Sequence, residues 1–182
     1  MISTAVGQVE YRRVLGHFAT GVTVVTALDG TNPVGFACQA FAALSLDPPL
    51  ILFCPGRTSR TWPVIQKAGW FCVNVLTDRQ RGLSTVFGTA GADKFAAVPW
   101  TPAPSGAPVL DGVLTWIDCA VREVHAAGDH YVVTGEVTAL GEQRDERPLL
   151  CYRGGYTATE PPQPAPGLLD NLITWSRHDD WI

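Results

Sequence analysis

Charge is scarce in this chain, and what there is lies scattered. Asp, Glu, Lys and Arg make up 16% of the 182 residues, the formal net charge is −4, and no basic run exceeds the Arg12-Arg13 pair. Nucleic-acid binding needs clustered Lys and Arg to neutralise phosphates, so no nucleic-acid partner is expected. No apolar run reaches the roughly 18 residues that a membrane span requires, so no membrane partner is expected either. The opening MISTAVGQVEYRR lacks the basic start, apolar middle and small-residue cleavage site of a secretory leader. The expectation is a cytoplasmic protein. Motifs that carry their own chemistry are missing as well. There is no Walker loop, G-x-G-x-x-G, H-E-x-x-H or Ser-His-Asp context. The five cysteines, Cys38, Cys54, Cys72, Cys119 and Cys151, contain no C-x-x-C. Without close-spaced ligand pairs a structural zinc site is excluded and no metal is expected. Their odd number and apolar settings predict buried free thiols in a reducing compartment.

What is present is apolar surface enough for a core. A hydrophobic fraction of 46% over this length predicts one compact domain. The chain is organised around Gly35–Phe53, GFACQAFAALSLDPPLILF. Such an apolar stretch reads first as a pair of buried strands. Its first half is nevertheless poor in large side chains, with Gly35, Ala37, Cys38, Ala40, Ala42 and Ala43. A wall of that kind leaves room for a flat ligand read by main-chain hydrogen bonds. The stretch itself leaves the ligand open.

Tyr11, Val14, Leu15 and Phe18 recur at i, i+3, i+4 and i+7, one face of a helix. Val22–Leu28 is β-branched and ends at Asp29-Gly30, a hairpin signal. Asp47-Pro48-Pro49 demands a tight connection, because proline has no donor for a sheet ladder. Pro55–Thr61 is a turn rich in hydroxyl and guanidinium groups. It leads into a short helix from Trp62 to Ala68, with Pro63 in the first turn where proline is tolerated. Strand, hydroxyl-rich turn and helix start together can hold a phosphate, although a Ser or Thr there is more often a plain N-cap. Phe71–Leu76 is a strand, and Asp78 is placed to cap a helix running to Phe87. Gly88–Pro108 reads as one long loop around Asp93-Lys94-Phe95, and loops this long tend to be functional. A lysine there is otherwise a solvated surface residue. Strands follow over Gly112–His125, Tyr131–Val137 and Pro148–Tyr152, the last of the chain. The prediction is a mainly β domain over 1–160 with peripheral helices, its six or seven antiparallel strands forming a barrel. Pro161, Pro162, Pro164 and Pro166 mark a stiff linker. The tail to residue 182 carries a helical face of Leu168, Leu169, Leu172 and Trp175.

Of the four histidines, His130 alone sits in a turn beside an acid, in Gly128-Asp129-His130. With no strong acid–base or metal constellation, a cofactor that brings its own chemistry is the natural alternative. The residues alone support a β-barrel domain that binds a flat ligand, and leave open whether that ligand carries a phosphate.

Several segments, in order, resemble the short-chain flavin reductases, the reductase components of two-component flavin-dependent monooxygenases. These are Thr20–Thr26, Gly35–Pro49 with Ser45-Leu46-Asp47-Pro48-Pro49, and Ser59 and Thr61 ahead of Trp62-Pro63. Asp93-Lys94-Phe95, Gly128-Asp129-His130 and Tyr152–Tyr156 complete the set. The resemblance implies an FMN-binding split β-barrel that forms a homodimer, with flavin near the subunit interface. It implies that the wall of Cys38, Gln39, Ala40 and Ser45, continuing to Cys54, faces the flavin, FAD or FMN. Ser59 and Thr61 would hold phosphate with Lys94, and Tyr156 would lie near the ring. His130 would serve the nicotinamide nucleotide, NADH or NADPH, as the catalytic residue. Where relatives often have Thr, Asn and Ser in the wall, this chain has Ala37, Gln39 and Ala40. Recognition should then rest on backbone groups and Gln39. This variant wall most resembles the reductases that serve actinobacterial secosteroid-phenol hydroxylases.

The activity implied is hydride transfer from NAD(P)H to flavin, with reduced flavin passing to a separate monooxygenase, an aromatic or steroid-phenol hydroxylase. Such a site needs two rings stacked with reacting atoms about 3–3.5 Å apart and donors for the charge that develops. The rival readings are a non-catalytic flavin- or haem-binding module on the same barrel, an amine-oxidising enzyme of the pyridoxamine-phosphate oxidase kind, and a carrier of apolar ligands.

Overall fold

The computed structural model describes residues 6–91 and 93–160. The proline-rich linker and helical tail expected over 161–182 lie outside the described residues. In chain order the elements are α1 (Gln8–Leu15), β1 (Thr20–Gly21), β2 (Thr23–Asp29), β3 (Asn32–Cys38), β4 (Phe41–Leu46), β5 (Pro49–Phe53), α2 (Trp62–Ala68) and β6 (Trp70–Val75). A 3-10 turn (Asp78–Gln80) then enters α3 (Arg81–Gly88). The remainder is β7 (Trp100–Pro102), β8 (Pro108–Leu110), β9 (Thr115–Ala127), β10 (His130–Leu140), β11 (Leu149–Tyr152) and β12 (Gly155–Ala158).

Seven strands make one sheet in the order β3-β2-β6-β9-β10-β5-β4. Every pairing in it is antiparallel. The sheet curls round its own core. Phe36 on β3 and Phe53 on β5 are five strand positions apart, about 24 Å in a flat sheet at ~4.8 Å per strand. Their ring centroids are 6.3 Å apart. Phe53 also meets Phe71 of β6 at 5.0 Å and Trp62 of α2 at 5.8 Å. With Val25, Ile51, Ile65, Val73 and Val133 they fill the barrel. The mainly β barrel with helices at its rim therefore stands as the sequence predicts.

The organising stretch holds three strands, not two. β3 ends at Cys38, β4 begins at Phe41, and the Asp47-Pro48 turn returns the chain directly into β5, with Leu46 opposite Pro49. β3 and β4 are the two edges of the sheet, so much of this apolar sequence lies at edges rather than in the interior.

Other expectations change for identifiable reasons. Thr77, not Asp78, caps the helix that leads to Phe87. Its side chain accepts from the Gln80 backbone, while its own N–H donates to Gln80 Oε1 at 3.0 Å, a capping box. Asp78 instead pairs with Arg147 at 2.6 Å. The region from Gly88 to Pro108 is not all loop, since β7 and the start of β8 fall within it. Two buried polar side chains hold that hairpin on the sheet. Asn74 accepts from the Leu110 N–H at 2.8 Å and donates to Val24 O, Thr26 Oγ1 and Pro108 O. The Asp118 carboxylate accepts from Ser105 N at 2.9 Å and Ser105 Oγ at 2.6 Å. Tyr152 does not end the last strand. β12 follows and joins β1 and β11 in a small second sheet, which carries Tyr156.

All five cysteines are free; Cys38, Cys72 and Cys119 are buried, and Cys54 and Cys151 are half-buried. No helix among the described residues is long and apolar enough to cross a membrane.

Candidate functional site

A cavity of about 750 Å³ lies between the edge of β3, the Gly56–Thr61 turn and the C-terminal end of α3. Ser59, Thr61 and Lys94 all line it, beside Gly35, Ala37 and Arg60. Three predicted residues, spread over thirty-five positions of sequence, thus meet in one place. The Lys94 ammonium donates to Phe87 O at 2.8 Å and Gly35 O at 3.3 Å. It is not a solvated surface lysine. Its partial burial draws the ammonium below the usual lysine range, because desolvation disfavours the charged form. Phe87 O is one of the last carbonyls of α3, where a cation is favoured by the helix dipole. An ammonium has three donors, so one remains for a ligand.

Ser59 does what a serine before a helix usually does: its Oγ accepts from the Trp62 N–H at 3.1 Å. Thr61 makes no side-chain capping bond, which leaves its hydroxyl available.

The small residues of the wall have two causes. A Cβ on Gly35 would meet Phe87 at 2.9 Å and Val25 O at 3.0 Å, so glycine is there because α3 packs onto β3. Ala37 likewise sits about 4 Å from where a Gly88 Cβ would be. Packing explains the side of the wall that faces α3; the edge backbone is a separate matter. Gly35 O is turned outward to Lys94, and carbonyls alternate in direction along an antiparallel strand. Ala37 therefore turns its N–H and C=O to the same free edge.

Gln39 and Tyr156 line a second groove, of about 640 Å³, with Tyr11, Arg12, Phe18 and Arg153. Gly35 and Gln39 are four residues apart along the same edge, about 13 Å at ~3.3 Å per residue. Tyr11, Leu15 and Phe18 border this groove and, like Val14, are exposed; α1 ends at Leu15, so Phe18 lies beyond the helix on which the sequence put it, and α1 buries no residue.

Cys38 turns its thiol into the core, where burial pushes it up to about 11. Its carbonyl is taken by Thr23 Oγ1 at 2.8 Å. Ala40 is exposed, and its carbonyl accepts from the Cys54 N–H at 2.9 Å. Cys38, Ala40, Ser45 on β4 and Cys54 line neither cavity.

His130 stands at the edge of the first cavity, in a β-bridge with Gly56. Its Nδ1 lies 2.7 Å from Asp129 Oδ1. The imidazole holds the Asp129 carboxyl below its ordinary range, by hydrogen bond and by charge. The Arg57 guanidinium stacks over Tyr131 at 5.3 Å, and Arg57 N donates to Asp129 O. The two turns, 55–61 and 128–131, are knitted together. Neither Arg60 nor Arg12 is among the expected site residues, although Arg60 lies in the guanidinium-rich turn and Arg12 is half of the single basic pair.

The chain is similar to flavin-using proteins. The flavin reductase like domain model matches residues 15–160. The reductase subunit HsaB of a flavin-dependent monooxygenase from Rhodococcus jostii is 52% identical over 176 residues, covering 94% of this chain and 90% of that protein. The crystal structure of a nitrilotriacetate monooxygenase component B from Mycobacterium thermoresistibile superposes with a TM-score of 0.82 at 52% identity, over 89% of this chain and 94% of that one. The NADH:FAD oxidoreductase SgcE6 of Streptomyces globisporus, in complex with NAD and FAD fragments, gives 0.80 at 33% identity, over 85% and 93%.

Proposed function

This chain belongs to the flavin reductase-like family, and from that membership we propose that it is an NADH:flavin oxidoreductase. It passes hydride from NADH to FAD or FMN and supplies the reduced flavin to a separate monooxygenase, an aromatic or steroid-phenol hydroxylase. The observation that carries this reading is the convergence of Lys94, Ser59 and Thr61 on a cavity beside the free edge of β3. A cation, two hydroxyls and unpaired strand backbone fit a phosphorylated flavin.

When bound, flavin supplies the hydride acceptor. The chain's own residues bind and orient. Lys94 and Thr61 hold phosphate, and Ser59 braces the turn by capping α2. The edge backbone at Gly35 and Ala37 reads the ligand between the two cavities, and Gln39 and Tyr156 receive the ring. Cys38, Ala40, Ser45 and Cys54 shape the β3–β5 junction through backbone and size. His130 serves the nicotinamide side. With Asp129 ionised, Nδ1–H donates to its carboxylate and Nε2 is left free for the nucleotide.

The exposed face of α1 and the bare edge of β4, where Leu46 is 84% exposed, support a homodimer. A second copy would cover them and close the Gln39 groove. The five free thiols support a reducing, cytoplasmic setting. Flavin-dependent NADH oxidation by the purified chain alone tests the reading.

A further inference from the structure

Tyr156 stands on β12, a strand of four residues at the edge of the small sheet, and is 39% exposed. A tyrosine so placed has little packing to fix its ring. One contact does fix it: Tyr156 Oη and Ser84 Oγ share a hydrogen bond of 2.9 Å across 72 residues of sequence. Ser84 is 3% exposed in the middle of α3. A buried helical serine commonly turns its hydroxyl back to the carbonyl four residues earlier, as Thr85 and Thr89 do on this helix. Ser84 Oγ pairs with Tyr156 Oη instead, either hydroxyl being able to donate.

The position of α3 gives this bond a consequence. One turn further on, at its C-terminal end, Phe87 and Gly88 line the phosphate cavity, and Phe87 O holds Lys94. One helix thus touches both ends of the candidate site, the cation at one and the tyrosine at the other. We propose that Ser84 is a positioning residue: it holds the Tyr156 ring across the Gln39 groove at a fixed distance from the Lys94 cavity, and so sets flavin affinity. The inference rests on the flavin-reductase reading and extends it to a residue outside both cavities.

The test is a double-mutant cycle on the full chain with S84A, Y156F and the pair. It is read by FMN titration through flavin fluorescence, by steady-state KM and kcat, and by Tm. Both single variants delete the same bond. Each is expected to raise the FMN Kd and KM about fivefold, the factor a net hydrogen bond supports, with kcat in S84A within about twofold of wild type. The double variant is expected to be no worse than either single one. A fall in Tm with Kd and KM unchanged in S84A, or a double variant whose effect is the product of the two, overturns the proposal. Should S84A fail to fold, Y156F alone decides, since its side chain is exposed: an unchanged Kd overturns. If wild type binds FMN but oxidises no NADH, the activity reading fails while the Kd cycle still reads Ser84.

Discussion

The Lys94 ammonium lies 3.3 Å from the carbonyl oxygen of Gly35, a residue 59 positions earlier in the chain. This contact ties the loop after α3 to the free edge of β3 and brings a positive charge to the rim of the cavity. A charge-assisted hydrogen bond contributes about 1.5–3 kcal/mol, which is tenfold or more in affinity. Lys94→Met is therefore expected to raise KM for FMN and FAD by about tenfold while leaving riboflavin, which has no phosphate, within about twofold. Steady-state KM for the three flavins checks it. The pH dependence follows from the lowered pKa. Burial makes the ammonium lose its proton below the free-lysine value of 10.5. The preference for FMN over riboflavin should be full at neutral pH and fade as pH rises through the folded pKa. A ratio that stays flat into the alkaline range contradicts the phosphate role.

His130 and Asp129 act as a pair. His130→Ala is expected to lower the rate of NADH oxidation by at least about tenfold and to leave the flavin Kd nearly unchanged, a split that steady-state rates and flavin titration together resolve. Asp129→Asn leaves the imidazole without its carboxylate partner and should lower the rate by a smaller factor, about threefold, since positioning through a tautomer is weaker than losing the group. The Asp129 carboxyl is held below its usual range, so the pairing is present above that range and lost as pH falls through the lowered value. An unchanged rate in His130→Ala removes the residue from the mechanism.

Much of this was legible in the sequence, and the failures share a cause. β2, α2, β6 and β10 follow from local patterns: a β-branched run, a proline in a first turn, and apolar runs of strand length. The grouping of Ser59, Thr61 and Lys94 came from resemblance and was placed by the fold. What stayed hidden depends on contacts distant in sequence. Thr77 displaced Asp78 as the cap because Arg147 claims the aspartate. The β7–β8 hairpin exists because Asn74 and Asp118 reach it from the sheet. Gly35 looked like room for a ligand, and Phe87 packs into the space a side chain there would take.

Two wall positions separate packing from binding. Ala40 is exposed, so Ala40→Leu should fold with Tm within about 2 °C of wild type yet lose flavin use. Gly35→Ala meets backbone at 3.0 Å and should be destabilised by about 1–3 kcal/mol, the usual range for overpacking. Thermal melts and NADH-oxidation rates on both variants check this. If Ala40→Leu reduces flavin normally, that part of the wall contacts no ligand.

The central claim is that this chain alone moves hydride from NADH to flavin. The most direct measurement is anaerobic NADH oxidation by the purified protein with FAD, FMN and riboflavin at matched concentrations, followed by loss of nicotinamide absorbance together with bleaching of the flavin. One flavin is expected to be reduced per NADH consumed, faster with a phosphorylated flavin than with riboflavin. Flavin binding without NADH consumption, for all three, contradicts it.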